Sequence, residues 1–345
     1  MTATLPAYAA FDSSVRIAYT DAERREAFLP TPCVQNHAAN LHVLPNGDLL
    51  CVWFGGTQEG IPDVSVYLSR LPAGGTEWQP ALKLSEDPTR SEQNPVLFTT
   101  PAGALWLIYT AQLSGHQNTA IVRRRISTDG GHNWGPIETL FDQAGTFVRQ
   151  PIVVLPDGAW ACPVFLCRTQ PGERWVGNDD ISAIMLSADQ GRTWSAPQPT
   201  ALPNNNSSIQ FVALRNGHLA LVYNDSDASH STGRRTSLYD DIEDAEDHGE
   251  LRDQSASTCG TAFWGAPRAP LSLAISEDGG QTWRRRRNLE IGDGYCMTNN
   301  SAEQRNREYS YPSIVQGVDG ALHIAFTYFR QRIKYVTVDE AWVRG

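Results

Sequence analysis

The sequence predicts an all-β protein that folds as a single β-propeller over residues 1–345, with five blade units. Two repeated motifs and the composition lead to this prediction. One octapeptide occurs in three strict copies, a turn glycine followed by a short apolar strand occurs five times, and the chain is rich in glycine (28) and proline (21). Units of four short antiparallel strands are typical of propeller blades.

The octapeptide has the pattern S-x-D-x-G-x-x-W, and its fixed positions have local physical roles. The Asp side chain accepts hydrogen bonds from backbone N–H groups and holds a tight turn. The Gly supplies the positive φ that the turn requires, and the Trp ring packs on the hairpin. The strict copies are Ser127–Trp134, Ser187–Trp194 and Ser276–Trp283, and a degraded copy spans Ser69–Trp78.

The turn glycines set the register of the blades: Gly47, Gly103, Gly158, Gly217 and Gly320. Each unit is predicted to contain strand, turn glycine, strand, loop, strand, octapeptide and strand. The fourth unit is longer than the others, which places a polar, acidic insertion at about 225–267. The last unit lacks the octapeptide, so we expect Ser13–Thr20 to supply its outer strand and close the ring.

The composition and the N-terminal sequence limit the classes of partner and the compartment that are expected. A formal net charge of −10 disfavours nucleic acid, and no apolar run is long enough for a transmembrane helix. The N-terminus carries no secretory signal, which together with six cysteines in no zinc-type spacing predicts a cytoplasmic protein. Because no metal-ligand spacing, P-loop or dinucleotide motif occurs, we expect no cofactor.

The blade register predicts two rings of polar or aromatic side chains at one mouth of the central channel. Residues of the first ring lie at the starts of inner strands: Asn36, His37, Asn94, Arg149, Gln150, Asn206, Ser207, Tyr309 and Tyr311. Asn205, just before the fourth-unit pair, is also expected to bind substrate. Residues of the second ring lie at the ends of the next strands: Gln112, Arg168, Asn224 and Arg330. Polar residues at positions where a core strand is otherwise apolar predict a binding surface.

Three parts of this surface suggest chemistry. His37 can act as acid or base near neutral pH. The glycine-rich loop after the second strand brings Glu59 and Asp63 to the same mouth, where either carboxylate could be a general acid or cap the turn. The polar run 204–208 before the fourth inner strand predicts contacts with sugar hydroxyls.

The repeated octapeptide resembles the Asp-box of the sialidase superfamily, and the resemblance covers roughly residues 35–342. Relatives in that superfamily have six blades. The resemblance implies that the Asp-box is structural and that the Tyr of a Tyr-Ser pair is the nucleophile, a position that Tyr309 matches. The same resemblance implies an arginine clamp for the substrate carboxylate. Asn36-His37-Ala38 and Asn224 stand where clamp arginines are expected, so the resemblance predicts an activity other than sialic acid hydrolysis.

A propeller with His at its mouth also resembles enzymes that remove terminal rhamnose from glucuronate. A lyase would use groups that neutralise the uronate carboxylate and an acid–base pair: Arg149, Arg168, Arg330, Asn94, His37 and Tyr309. A hydrolase would use paired carboxylates from Asp63, Glu59 and Glu308. We therefore expect an enzyme that cleaves a terminal glycosidic bond in an acidic, uronate-containing glycan. The alternatives are a glycan-binding propeller without catalysis, a true exo-sialidase and an interaction scaffold.

Overall fold

The structure is a computed structural model that describes residues 12–168, 180–199, 207–226, 267–296, 298 and 301–344. These residues form 22 β-strands in five sheets, together with two short 3-10 helices, Ser301–Glu303 and Glu340–Arg344. The five sheets are the five predicted blades. Most of the expected insertion at about 225–267 lies outside the described residues.

The strands follow one another blade by blade. Strands β1 (Arg16–Ala18) and β2 (Asp21–Phe28) come first. The first blade contains β3 (Gln35–Val43), β4 (Leu49–Gly56), β5 (Ser65–Leu71) and β6 (Leu82–Lys83). The second contains β7 (Arg90–Thr99), β8 (Leu105–Leu113), β9 (His116–Ser127) and β10 (Glu138–Phe141). The third contains β11 (Thr146–Val148), β12 (Val153–Val154), β13 (Trp160–Leu166), β14 (Ile181–Ser187) and β15 (Gln198–Pro199). The fourth contains β16 (Gln210–Ala213), β17 (Leu219–Asn224), β18 (Leu271–Ser276) and β19 (Arg285–Glu290). The fifth contains β20 (Tyr309–Gln316), β21 (Leu322–Tyr328) and β22 (Arg332–Val338), with β2 and β1 outside them.

The N-terminal strands complete the fifth blade, as the sequence predicts. The pairing differs in detail, however. Strand β2 lies antiparallel to β22, with Ala27 opposite Tyr335, and only three residues of the expected stretch Ser13–Thr20 form the additional strand β1. The two ends of the chain are therefore hydrogen-bonded in one sheet, which closes the blade and removes an exposed edge from β22.

The two repeated motifs form the turns that their residue types predict. All five turn glycines have φ between 84° and 94°, a region that favours glycine. In each octapeptide the Ser hydroxyl donates to the Asp side chain and accepts from the backbone N–H of the Gly. In the second copy these distances are 2.9 Å from Ser187 Oγ to Asp189 Oδ1 and 2.8 Å from Gly191 N to Ser187 Oγ. The Asp also accepts from the backbone N–H of the residue just before the Trp, here Thr193 N at 2.8 Å.

Four hydrophobic clusters hold neighbouring blades together. They join the fifth blade to the first, the first to the second, the second to the third and the fourth to the fifth. At the junction of the third and fourth blades, Gln150 Nε2 donates to the Ile209 carbonyl at 2.9 Å, and Gln210 Nε2 donates to Gln150 Oε1 at 3.1 Å. No helix among the described residues is long and apolar enough to cross a membrane.

Polar side chains on the strands around the channel also tie the blades. Asn40 Oδ1 accepts from Leu97 N at 3.0 Å, and Ser313 Oγ accepts from Leu41 N at 2.9 Å. Gln210 Oε1 accepts from Ile314 N at 2.7 Å. Because each bond satisfies a backbone N–H of the neighbouring blade, part of the polarity of the channel is structural.

Candidate functional site

The inner strands of three blades share a bulge at the mouth. The pairing of β3 with β4 skips between His37 and Asn40, and β7 with β8 and β20 with β21 skip at the equivalent places. Ala38, Asn94 and Tyr311 occupy these bulges with φ of 59°, 51° and 50°. Positive φ is uncommon outside glycine and is found preferentially at functional sites. The bulges therefore mark the mouth as the candidate site.

Tyr311 lies at the centre of an arginine cluster. The Cζ atoms of Arg149 and Arg268 are each 5.3 Å from the centroid of its ring. Burial raises the pKa of the Tyr311 phenol, while the positive charges of Arg268, Arg330 and Arg149 oppose that rise. The three guanidinium groups would thus stabilise negative charge on the phenol or on a ligand next to it.

Two buried carboxylates partner two of these arginines. Arg330 is bound by Glu59 through Nη1 and by Glu308 through Nε, the latter at 2.7 Å. Glu308 also contacts Arg268 at 3.3 Å and accepts from Ser310 Oγ at 3.0 Å. Burial lowers the pKa of the Arg330 guanidinium, but Glu308 and Glu59 outweigh this effect and hold the pKa well above its usual value. The Arg330 guanidinium is therefore held in place by both glutamates.

Arg149 reaches across the channel from the third blade. Its Nη2 donates to the Ala39 and Tyr311 carbonyls, each at 3.0 Å. Burial lowers the pKa of this guanidinium to about 10, and Tyr311 and Cys51 oppose the shift. Among the described residues, the cluster contains three arginines and two glutamates, so the arginines outnumber the glutamates by one. Such a site favours an anionic ligand.

His37 lies beside Tyr311. The ring centroids of His37 and Tyr311 are 4.4 Å apart. His37 also contacts Phe54, with 5.4 Å between their ring centroids. His37 Nδ1 is 2.8 Å from Thr327 Oγ1, and the same hydroxyl accepts from Ala38 N at 3.1 Å. These contacts hold the imidazole against the Tyr311 ring, which places an acid–base group beside the phenol at the mouth.

Sequence comparison identifies the family. The BNR repeat-like domain family matches residues 47–183 and 174–324, which together span most of the chain. The chain belongs to the BNR repeat-like domain family. No curated protein is similar enough in sequence to be counted as a relative.

Solved structures similar to this BNR-repeat protein include three sialidases. The NanB sialidase from Streptococcus pneumoniae is 12% identical with a TM-score of 0.59, covering 96% of this chain and 71% of its own. The Hadza microbial sialidase Hz136 is 14% identical with a TM-score of 0.57, covering 90% and 66%. The intramolecular trans-sialidase from Ruminococcus gnavus is 11% identical with a TM-score of 0.51, covering 98% and 99%. At these identities the likeness shows a sialidase-like propeller fold.

Within the BNR-repeat fold, the predicted candidate Tyr309 is separated from the cluster. Its ring packs against Phe326, Tyr328 and Phe329 in the core between the fourth and fifth blades. Its hydroxyl donates to the Ile291 carbonyl at 3.3 Å. In the sequence, Tyr309 matches the nucleophilic Tyr that the sialidase resemblance implies. In the structure, it is Tyr311 that lies with the arginines and His37. The bulge explains the difference, because it changes which residues of the strand face the mouth.

The two carboxylates of the first-blade loop have different environments. Glu59 is buried and forms the ion pair with Arg330. Asp63 is exposed, and its Oδ2 accepts from Thr57 N at 3.0 Å. The sequence left open whether either carboxylate is a general acid or a turn cap. In the structure Glu59 belongs to the arginine cluster, and Asp63 caps the turn.

Several other predicted residues of this BNR-repeat protein serve the fold. Asn36 accepts from Trp53 Nε1 and donates to the Cys33 and Gln331 carbonyls, which uses its whole amide. Asn224 donates to the Tyr309 carbonyl at 2.8 Å, and so joins the fourth blade to the fifth. Gln150 makes the third-to-fourth blade contact described above.

The remaining candidates are distributed differently. Gln112 is buried opposite Ser91, and Arg168 is exposed. Asn94 is buried in its bulge, and its Oδ1 has no hydrogen-bond partner in the described part of the chain. Asn205 and Asn206 lie outside the described residues, so the predicted sugar-binding role of that run stays a prediction.

Arg268 is a member of the cluster that the sequence analysis did not identify. It follows the fourth-blade insertion, where the blade register has no equivalent position, and it is flanked by Pro267 and Pro270. An arginine in a short proline-bounded segment between an insertion and a strand is a weak signal. The sequence analysis judged the arginine clamp to be incomplete without considering Arg268.

Proposed function

We propose that this protein is a carbohydrate-active enzyme that cleaves a terminal glycosidic bond of an acidic glycan at the mouth of the channel. The single observation that carries the proposal is the environment of Tyr311, whose ring centroid is 5.3 Å from Cζ of both Arg149 and Arg268 and lies beside His37. The sialidase-like fold is consistent with a glycan substrate, and the excess positive charge favours a sugar that bears a carboxylate.

In this proposal the phenol of Tyr311 is the reacting group. The guanidinium groups of Arg149 and Arg268 favour its ionised form, and electrostatic stabilisation of developing charge is a large contribution to catalysis. His37 exchanges a proton with the phenol or the leaving sugar. Glu59 and Glu308 hold Arg330 and Arg268 in position, because each is already ion-paired to a guanidinium.

A lyase is the second candidate. Both carboxylates of the cluster are bound to arginines, which leaves His37 and Tyr311 as the acid–base pair that β-elimination next to a uronate carboxylate requires. Rhamnose-capped glucuronate is the substrate that this candidate predicts. A hydrolase would instead use Tyr311 as nucleophile and form a covalent glycosyl-enzyme intermediate.

A panel of acidic oligosaccharides tests the proposal. It should contain sialosides, glucuronides and rhamnosyl-glucuronates, with neutral glycosides as the control set. We expect released sugar from an acidic member and none from the neutral ones. Ultraviolet absorbance of an unsaturated uronate would identify a lyase, whereas sugar release without it would identify a hydrolase.

The variant His37→Ala should abolish cleavage while the protein stays folded, as judged by circular dichroism. Full activity in this variant would remove His37 from the mechanism. Binding of an acidic glycan without cleavage of any panel member would contradict the proposed enzyme and favour a glycan-binding propeller.

A further inference from the structure

The guanidinium of Arg149 is buried inside the channel, and no carboxylate of the described residues is bound to it. Arg149 is 8% exposed. Its Nε and Nη1 are buried and have no hydrogen-bond partner in the described part of the chain. Nη2 is bound only by backbone carbonyls, at Ala39, Tyr311 and, at 3.5 Å, Pro312. Carbonyl dipoles satisfy one nitrogen, but they do not neutralise the charge.

Two weakly acidic groups act electrostatically on this guanidinium, and neither provides a counter-charge. They are the Tyr311 phenol and the Cys51 thiol, and burial raises the pKa of both. The carboxylates of Glu59 and Glu308 are bound to Arg330 and Arg268. A buried charge without a counter-charge is strongly unfavourable, and proteins pair such charges.

A second buried donor lies on the first blade, one residue from a carbonyl that binds Arg149. Asn40 follows Ala39, whose carbonyl binds Arg149, and its Oδ1 accepts from Leu97 N. This bond fixes the amide, and Asn40 Nδ2 is buried with no partner among the described residues. Among the described residues, the first blade (Asn40) and the third blade (Arg149) thus each have a buried donor that is unused.

We propose that Arg149, with Asn40, binds a small monovalent inorganic anion such as chloride inside the channel. The anion would accept from Arg149 Nε and Nη1 and supply the missing negative charge. A carboxylate carried by a sugar is a poorer occupant, because these two nitrogens are buried from solvent. The site can be tested without the enzymatic function, but a bound anion would offset the positive charge that Arg149 contributes to the cluster.

Thermal unfolding in chloride-free buffer tests this site. Sodium chloride or bromide is titrated from 1 to 100 mM, with a bulky sulfonate salt holding the ionic strength constant. We expect a saturable increase of about 3 °C in Tm, since an anion that binds only the folded state stabilises it by mass action. Arg149→Gln should lose the halide dependence, whereas Arg124→Gln, in a surface pair with Glu138, should keep it.

A crystal of the wild-type protein soaked in bromide provides a second measurement that needs no variant. We expect an anomalous peak within hydrogen-bond distance of Arg149 Nε or Nη1. Halide-independent Tm values, or anomalous peaks only at the surface, would overturn the proposal. Competitive inhibition of glycan cleavage by bromide would also overturn it, because Arg149 would then bind the substrate's own carboxylate.

Discussion

Tyr311 and His37 lie with ring centroids 4.4 Å apart, although they come from the fifth and the first blade. The contact joins the two ends of the ring at the mouth of the channel. Thr327, from the strand next to Tyr311, holds His37 through its hydroxyl at 2.8 Å. The first and last blades thus form the proposed reacting pair together.

The two tyrosines of the last inner strand should behave differently. Tyr311→Phe should reduce kcat/KM on the cleaved glycan by about 100-fold or more, because the phenol is the proposed reacting group. Tyr309→Phe removes one hydrogen bond to a carbonyl and should leave kcat/KM within a few-fold. Steady-state kinetics of the two variants measures this. Equal losses in both, or a larger loss in Tyr309→Phe, would contradict the assignment.

Glu59 and Asp63 should differ in their contribution to stability. Glu59→Gln leaves Arg330 with one of its two carboxylates, and breaking a buried ion pair costs about 3 kcal/mol. Asp63→Asn affects an exposed turn cap and should cost about 1 kcal/mol or less. Urea denaturation gives both free energies of unfolding. A loss for Asp63→Asn as large as that for Glu59→Gln would show that the ion pair is not the more important contact.

His42 should make stability depend on pH. Burial lowers its pKa from 6.5 to about 4, and the imidazole contacts Thr99 Oγ1 at 2.7 Å. Between these values the unfolded chain binds a proton that the folded protein does not. The free energy of unfolding should therefore fall as the pH decreases from about 6.5 to about 4.

His42→Gln should flatten this part of the pH profile, and His132→Gln, at an exposed position, should leave it unchanged. Chemical denaturation at several pH values between 4 and 7.5 measures the slope. If His42→Gln and the wild-type protein have parallel profiles, His42 is not the group responsible.

The octapeptide glycine should be more sensitive to substitution than the hairpin glycine. A Cβ at Gly191 would lie 2.9 Å from ring atoms of both Trp106 and Trp160, whereas nothing lies within 4 Å of a Cβ at Gly158. Both have positive φ, so Gly158→Ala should cost about 1 kcal/mol from the backbone alone. Gly191→Ala should cost about 2 kcal/mol more, from crowding. Equal losses in thermal unfolding would rule out crowding as the cause.

The sequence alone determined the blades. The turn glycines and the S-x-D-x-G-x-x-W motif are satisfied by contacts within a few residues, such as Ser187 Oγ to Asp189 Oδ1 and Thr193 N to the same carboxylate. Because these hydrogen bonds are local, the residue types that form them can be read directly from the chain. The five-blade count and the closure of the last blade by the N-terminus followed from the same repeat, although the pairing strand is Asp21–Phe28.

The tertiary structure decided which residues form the site. Strand alternation would place Tyr309 and Tyr311 on one face, but the bulge in β20 separates them, so one joins the core and the other the arginines. Arg268 enters the cluster from a segment with no counterpart in the repeat. The pairing of Arg330 with Glu59 joins residues that are 271 positions apart in the chain. Such contacts depend on how the blades close into a ring, and a local pattern carries no information about that closure.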